Sequence, residues 1–199
     1  YGHACKLEKQ LEAEVAELLQ KAESADNADI PDGMDVPAEL SIRQERIKAI
    51  KEIHPEILVS IRLELTTAGV GRAIELAALK DVEVIHVVAD ANGNELTAQK
   101  PRFLKEMIRL IHTTLIEKGV RDEITLMAGG GIALPEHMAK AIICGADLVT
   151  TNLPLLIALE CHLCESCEPG MSCPARLEEI DRAYAVGRMT NLLAAWHDQ

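Results

Sequence analysis

Residues 123–151, "EITLMAGGGIALPEHMAKAIICGADLVTT", decide the fold. An apolar run (123–131) ends in three glycines. A helical stretch (135–145) opens on Pro135 and closes on Gly145, and a second short apolar run (146–151) follows. Proline at a first helical position and glycine just past the last are stop-and-start signals of a helix. Strand, helix and strand with no hairpin turn between them predict a right-handed βαβ unit in a parallel sheet.

The same alternation extends toward the N-terminus. "PRFLKEMIRLIHTTLIEKG" (101–119) reads as a helix with Pro101 in its first turn and Gly119 as its stop. "VEVIHVVA" (82–89) is a buried strand, "GVGRAIELAALK" (69–80) a helix opened by glycines, and "ILVSIRLEL" (57–65) a first strand. Four parallel strands are half of an eight-stranded barrel or most of an open doubly wound sheet. A whole barrel takes about 250 residues, and this chain has 199. The fold class expected is therefore α/β, a partial (β/α)8 TIM-like barrel.

Ahead of the strands, "KLEKQLEAEVAELLQKAE" (6–23) has the spacing of an amphipathic helix, and "SADNADIPDGMDVP" (24–37) that of a loop. A second helix is expected from near Pro37 to Ile53, ending before Pro55 because the residue preceding proline is pushed out of the α region. "ARLEEIDRAYAVGRMTNLLAAWH" (175–197) reads as one closing helix. The organisation expected is 1–157 as the partial barrel, 158–176 as a cysteine-rich loop and 177–199 as a C-terminal helix.

Composition narrows the partners. Net charge is −12, and the aromatic residues number one Trp, one Phe and two Tyr. Such a chain repels phosphate backbones and has few stacking platforms, which argues against nucleic acid. No apolar run reaches the ~18–20 residues that span a bilayer, and no basic leader precedes an apolar one. No membrane insertion and a cytoplasmic location are expected, although Tyr1 in place of Met suggests a processed chain or the excised part of a longer one.

Four of six cysteines crowd into "ALECHLCESCEPGMSCPAR" (158–176): Cys161, Cys164, Cys167 and Cys173, the last followed by Pro174. Cysteines two residues apart, with a later one ahead of proline, are a form of thiolate set that holds an iron–sulfur cluster. One 4Fe–4S cluster on all four is the simplest fit. Structural zinc is an alternative, although it favours two separated pairs. Disulfides are a second, disfavoured where thiols stay reduced. Buried inert thiols are a third, set against the polar neighbours Glu165, Ser166 and Glu168. Cys144 reads as core packing on an apolar helix face; Cys5 has no assignment.

Gly129, Gly130 and Gly131 lie between a strand and a helix, at the end where α/β proteins bind ligands. They suit either a phosphate cradle or a tight turn with positive φ. Arg62, a charge inside an apolar strand, suits anion recognition or a buried ion pair with Glu64 or Glu95. His86 reads as a satisfied core histidine rather than a ligand, and His162 as exposed or as a group that tunes a cluster.

These segments, in this order, resemble the FMN-binding synthase domain of glutamate synthases and related iron–sulfur flavoproteins. "YGH" with "EVAEL" is similar to the family's glycine–histidine turn and helix. "ILVSIRLELTTAGVG" resembles its strand "VSVKL…GVG", with Arg62 at the family's lysine. "GVRDEITLMAGGGI" and "MAKAIICGADLV" are similar to "GLRDRVTLIADGGL" and "VAKAIALGADAV", and the cysteine stretch follows where the family has its own.

The resemblance covers the later part of the family's domain. It implies a β/α barrel, FMN on its carboxyl face, a cluster passing electrons to the flavin, and reduction of an imine formed from ammonia and 2-oxoglutarate. It also implies that the early strands come from upstream or from a partner subunit, in an oligomer or complex with a redox partner.

The departures are specific. The family's C-x5-C-x4-C motif holds a 3Fe–4S cluster; here Cys164 is added and the second spacing is one longer. "ADANGNEL" replaces the glycine-rich turn "GHDGGTGA", "IALPEH" replaces Arg-Thr-Gly, and Thr150 or Thr151 stands at the second phosphate glycine. Candidate flavin contacts are therefore Arg62, Gly129, Gly130, Gly131, Thr150 and Thr151. Two functions follow: an oxidoreductase moving electrons between a 4Fe–4S cluster and FMN, or a flavin-free barrel serving as a cluster-bearing relay or scaffold. A zinc-bearing interaction module is the third.

Overall fold

The computed structural model describes residues 36–164 and 173–198. The helix expected over 6–23, Cys5 and Cys167 lie outside the described residues. The chain divides into two compact units, one comprising residues up to Val59 with Leu79–Asp81, the other Ser60–Ala78 with Val82 onward. In the first, helix α1 (Val36–Ile53) ends two residues before Pro55, as that proline requires. The Gln44 side chain holds both backbone groups of Lys80, donating to its carbonyl at 3.0 Å and accepting its N–H at 2.8 Å.

The second unit alternates strand and helix: β1 (Ser60–Glu64), α2 (Gly69–Ala77), β2 (Val84–Val88), α3 (Leu104–Glu117), β3 (Thr125–Gly129), α4 (Pro135–Ile143), β4 (Leu148–Thr150), α5 (Leu153–Ala158) and α6 (Arg182–His197). All four strands are parallel, in the order β1-β2-β3-β4. Consecutive order without reversal is the winding of a (β/α)8 barrel; an open doubly wound sheet reverses at a switch point. The fold is thus α/β, a partial TIM-like barrel.

Burial explains the winding. Leu65, Ile85, Val87, Leu126 and Ala128 point to the helix side of the sheet and are fully buried. Against them lies α3, whose Leu104, Met107, Ile108, Ile111 and Leu115 recur at helical spacing and are likewise buried. Val70, Ala73, Leu76 and Ala77 of α2 complete this layer. Each large side chain so buried contributes roughly 1.5–3 kcal/mol.

Arg121 ties the bottom of β3 and β4 together. Its guanidinium donates to the Ile124 and Gly145 carbonyls (2.8 and 2.9 Å), to both Asp147 oxygens (2.8 Å) and to Nδ1 of His112 (2.9 Å). Asp147 also accepts the Leu126 N–H at 2.7 Å. Burial pushes the Asp147 carboxyl up, but the Arg121 and Leu126 hydrogen bonds outweigh it and leave the group below its ordinary range.

Two readings are corrected and one element is added. The single closing helix over 175–197 is instead a short 3-10 turn (Leu177–Glu179) followed by α6, because Asp181 caps α6 by accepting the Tyr184 N–H at 2.8 Å. The helix α5 ahead of the cysteines was not expected. Cys144 caps the end of α4 and is half-buried rather than part of the core.

Candidate functional site

Strand alternation puts Ser60, Arg62 and Glu64 on the sheet face opposite the helices. The register then aligns Arg62, His86, Met127 and Leu148 in one row across that face. At the carboxyl ends of the strands this face opens into a cleft of about 490 Å³. Arg62, Gly130, Gly131, Thr150 and Thr151 all line it, as do His86 and Asp90. Gly129, the last residue of β3, is buried beneath it. Its volume lies within the range of small-molecule sites.

The three glycines are demanded by packing. Gly130 and Gly131 have φ of +95° and +67°, and a Cβ on either would fall 2.3 Å from the Ala89 carbonyl oxygen or 2.2 Å from the Gly93 nitrogen. The β3–α4 turn therefore lies directly on the β2–α3 loop. That loop is closed by Asp90, whose carboxylate accepts the N–H groups of Asn92 (2.8 Å) and Asn94 (2.7 Å), an Asx turn. The N–H groups of Gly130 and Gly131 make no hydrogen bond among the described residues. They are available to an acceptor, with no Cβ in the way.

The threonines differ. Thr151 donates to the Ile132 carbonyl at 2.6 Å, which fixes the β4 end to the glycine turn. Thr150 shares a 2.9 Å hydrogen bond with Nε2 of His86, and its Oγ1 occupies the space beside Gly129, 2.3 Å from where a Cβ would stand. His86 is thus satisfied, as expected, but it lines the cleft half-buried and is no core residue. Burial, and then the nearby Arg62 charge, hold its imidazole below the ordinary value, so the ring is biased to its neutral form.

Arg62 forms no ion pair with Glu95. That carboxylate is 5% exposed and belongs to Arg102, which reaches it at 2.6 and 3.2 Å through the side chain and at 3.3 Å through its N–H. The fork geometry, its hydrogen bonds above all, lowers the Glu95 carboxyl and raises Arg102. Arg62 itself is exposed on the cleft face.

Of the four cysteines, Cys161, Cys164 and Cys173 are described, Cys164 exposed and the other two half-buried; Cys167 lies outside the described residues. Cys161 follows α5 and its N–H bonds to the Leu156 carbonyl at 2.9 Å. Glu160 and Leu163 have φ of +64° and +51°, so the chain turns sharply on both sides of it. Leu163 donates its N–H to Cys161 Sγ at 3.4 Å, while Leu163 and Leu156 also line the cleft. The neighbouring carboxylate, Glu160, accepts from the Tyr184 hydroxyl at 2.6 Å. Arg188 donates to the Ala158 carbonyl at 2.8 Å, so α6 braces the start of the cysteine segment. His162 is exposed.

Sequence reasoning missed Asp90, Leu156 and Leu163. The Asp-x-Asn pattern at 90–92 was a usable Asx-turn signal. For the two leucines no local signal exists, because only the fold brings α5 and the segment after it against the strand ends.

Residues 6–177 match the family described as the conserved region in glutamate synthase. The archaeal-type glutamate synthase [NADPH] of Dehalococcoides mccartyi is 27% identical over 157 residues, 67% of this chain and 31% of that protein. The archaeal glutamate synthase [NADPH] of Archaeoglobus fulgidus is 24% identical over 191 residues, 84% of this chain and 37% of that protein. That of Methanocaldococcus jannaschii is 32% identical over 96 residues, 45% of this chain and 19% of that protein. Among solved structures, a mutant flavocytochrome b2 with pyruvate bound has a TM-score of 0.41 at 17% identity, covering 74% of this chain and 32% of that one. The chain thus spans about a third of the length of the first relatives it matches. With its matched segment covering residues 6–177, the chain belongs to the glutamate synthase family.

Proposed function

We propose that this chain is the cofactor-bearing part of a glutamate-synthase-type oxidoreductase, with FMN in the cleft and a 4Fe–4S cluster on Cys161, Cys164, Cys167 and Cys173. The observation that carries the reading is Leu163: it sits among the cysteines, bonds to Cys161 Sγ and lines the same cleft as Gly130, Gly131 and Arg62. Electron donor and acceptor sites are thereby neighbours, as transfer between them needs.

The residues fit a flavin phosphate at one end of the cleft, where the N–H groups of Gly130 and Gly131 make no hydrogen bond among the described residues, and an anionic ring or substrate at Arg62. Flavin would supply the step between one-electron and two-electron chemistry. The chain's own part is to hold the anion, keep His86 neutral through burial and the Arg62 charge, and shield the cluster side with Leu156 and Leu163. An N–H donated to a cluster thiolate, as Leu163 does to Cys161, raises the reduction potential. On this reading 1–157 is the barrel part, 158–176 the cluster segment and 177–199 a C-terminal segment that carries α6. A subunit or segment supplying further strands, and a redox partner, complete the enzyme.

A second reading, a flavin-free relay or scaffold, is favoured by one observation: the hydroxyl of Thr150 occupies the β4 side of the cradle and is already bonded to His86. One assay separates the readings. An anaerobic preparation of the full chain is analysed together for iron, acid-labile sulfide, zinc and released flavin. About four irons and four sulfides with bound FMN support the oxidoreductase. Iron and sulfide without flavin support the relay, and zinc without sulfide overturns both.

A further inference from the structure

A second cavity, of about 300 Å³, lies on the helix side of the glycine turn, between the starts of α3 and α4. Its floor is apolar: Leu104, Ile108, Ile132 and Ala141 are each 5% exposed or less, and Phe103 forms a wall. Three nitrogen-bearing side chains line it as well, Lys105, His137 and Lys140. In a chain of net charge −12, that is a local reversal of sign.

The polar groups are partly committed, and their commitments define what they offer. Lys140 is 64% exposed and reaches Glu136 at 3.2 Å, which offsets part of its charge. His137 accepts the Ala133 N–H at its Nδ1 (3.3 Å), which leaves Nε2 as the ring's donor, 3.9 Å from the same Glu136 carboxylate. Lys105, exposed at the start of α3, makes no ion pair among the described residues. Donors and cations therefore line a cavity whose floor is hydrocarbon, while Glu136, which does not line it, lies 3.2 Å from Lys140 and 3.9 Å from His137. A pocket of this size with an apolar body and few convergent polar groups is the usual form of a small-molecule site.

We infer that this cavity binds a small carboxylate with an apolar body, seated on Ile108, Ile132 and Phe103 with its anionic end toward Lys105, His137 and Lys140. The inference goes beyond the cofactor reading and does not depend on it, since the cavity lies on the other side of the Gly130–Gly131 turn from Arg62 and Thr150.

The test uses the full chain with labelled Ile and Leu methyl groups, titrated with phenylacetate and, separately, with its neutral isostere phenylacetamide. Ten heavy atoms in such a pocket correspond to a Kd on the order of 1 mM. The expected result is saturable shifts of the Ile108 and Ile132 methyls with phenylacetate and binding about fivefold weaker for phenylacetamide. Lys105→Gln with Lys140→Gln should erase that preference while leaving the apolar binding and the fold. Equal affinity for the two probes, shifts confined to Leu148 and Leu156 on the cleft side, or no saturable shift would each overturn the inference.

Discussion

The two faces of the four-stranded sheet differ in kind. On the helix side, Ile85, Val87, Leu126 and Ala128 are wholly buried against α2 and α3. On the cleft side the same strands carry Arg62, His86, Met127 and a Leu148 that is 49% exposed. Parallel sheets are ordinarily apolar on both faces because helices cover both. Here one face holds the fold and the other carries a charge, an imidazole and a row of strand ends. The difference separates residues whose loss should unfold the chain from those whose loss should alter only what it binds.

The largest effect should come from the covered face. Leu126→Ala leaves a cavity in a layer that cannot collapse and should cost about 3 kcal/mol, whereas Met127→Ala, one residue on and half-exposed, should cost about 1 kcal/mol. Urea unfolding followed by circular dichroism measures both, and equal losses would break the comparison. Next in size is Gly130→Ala. With φ at +95° and the Ala89 oxygen in the way, it should cost about 2 kcal/mol or more even without any ligand. A variant as stable as the parent would return that glycine to a purely ligand-binding role.

On the cleft face, Thr150→Val removes the His86 partner. It should cost about 1 kcal/mol or less and move the His86 ring resonances in an NMR pH titration. The smallest effect sharpens the comparison through pH. Because the folded chain holds the His86 pKa below the ordinary value, the unfolded chain binds more protons in the window just below pH ~6.5, so stability rises with pH there and is complete above it. Glu95 and Asp147, also depressed, contribute stability that is present above their unfolded values near pH ~4 and is lost as pH falls through the lower folded ones. Melting temperature should therefore fall in two stages on acidification, and His86→Gln should remove only the upper one.

What the sequence disclosed follows the same division. Alternation, proline starts and glycine stops are local signals, and α2 to α4 and the four strands were legible from them. Boundaries were less so. Apolar Ile57 and Leu58 belong to the run read as the first strand, yet they precede β1, whose pairing begins at Ser60 opposite Val84. Strand length is set by the partner, which no local pattern contains. The closing helix was read too early because its cap, Asp181, lies inside a continuous helical pattern. On the site, the residue types were legible and their partners were not. His86 meets Thr150 across 64 positions, and Glu95 goes to Arg102 rather than Arg62, pairings that only the assembled sheet and loop determine.

We propose that the cleft face is the working face, shared by a flavin and the cysteine segment. It is tested most directly by titrating the full chain with FMN while recording the methyl resonances of Val88, Leu156, Leu163 and Leu126. Saturable shifts of the first three, which line the cleft, are expected, with Leu126 on the covered face unmoved. No saturable binding, or shifts at Leu126 without Leu163, would contradict it.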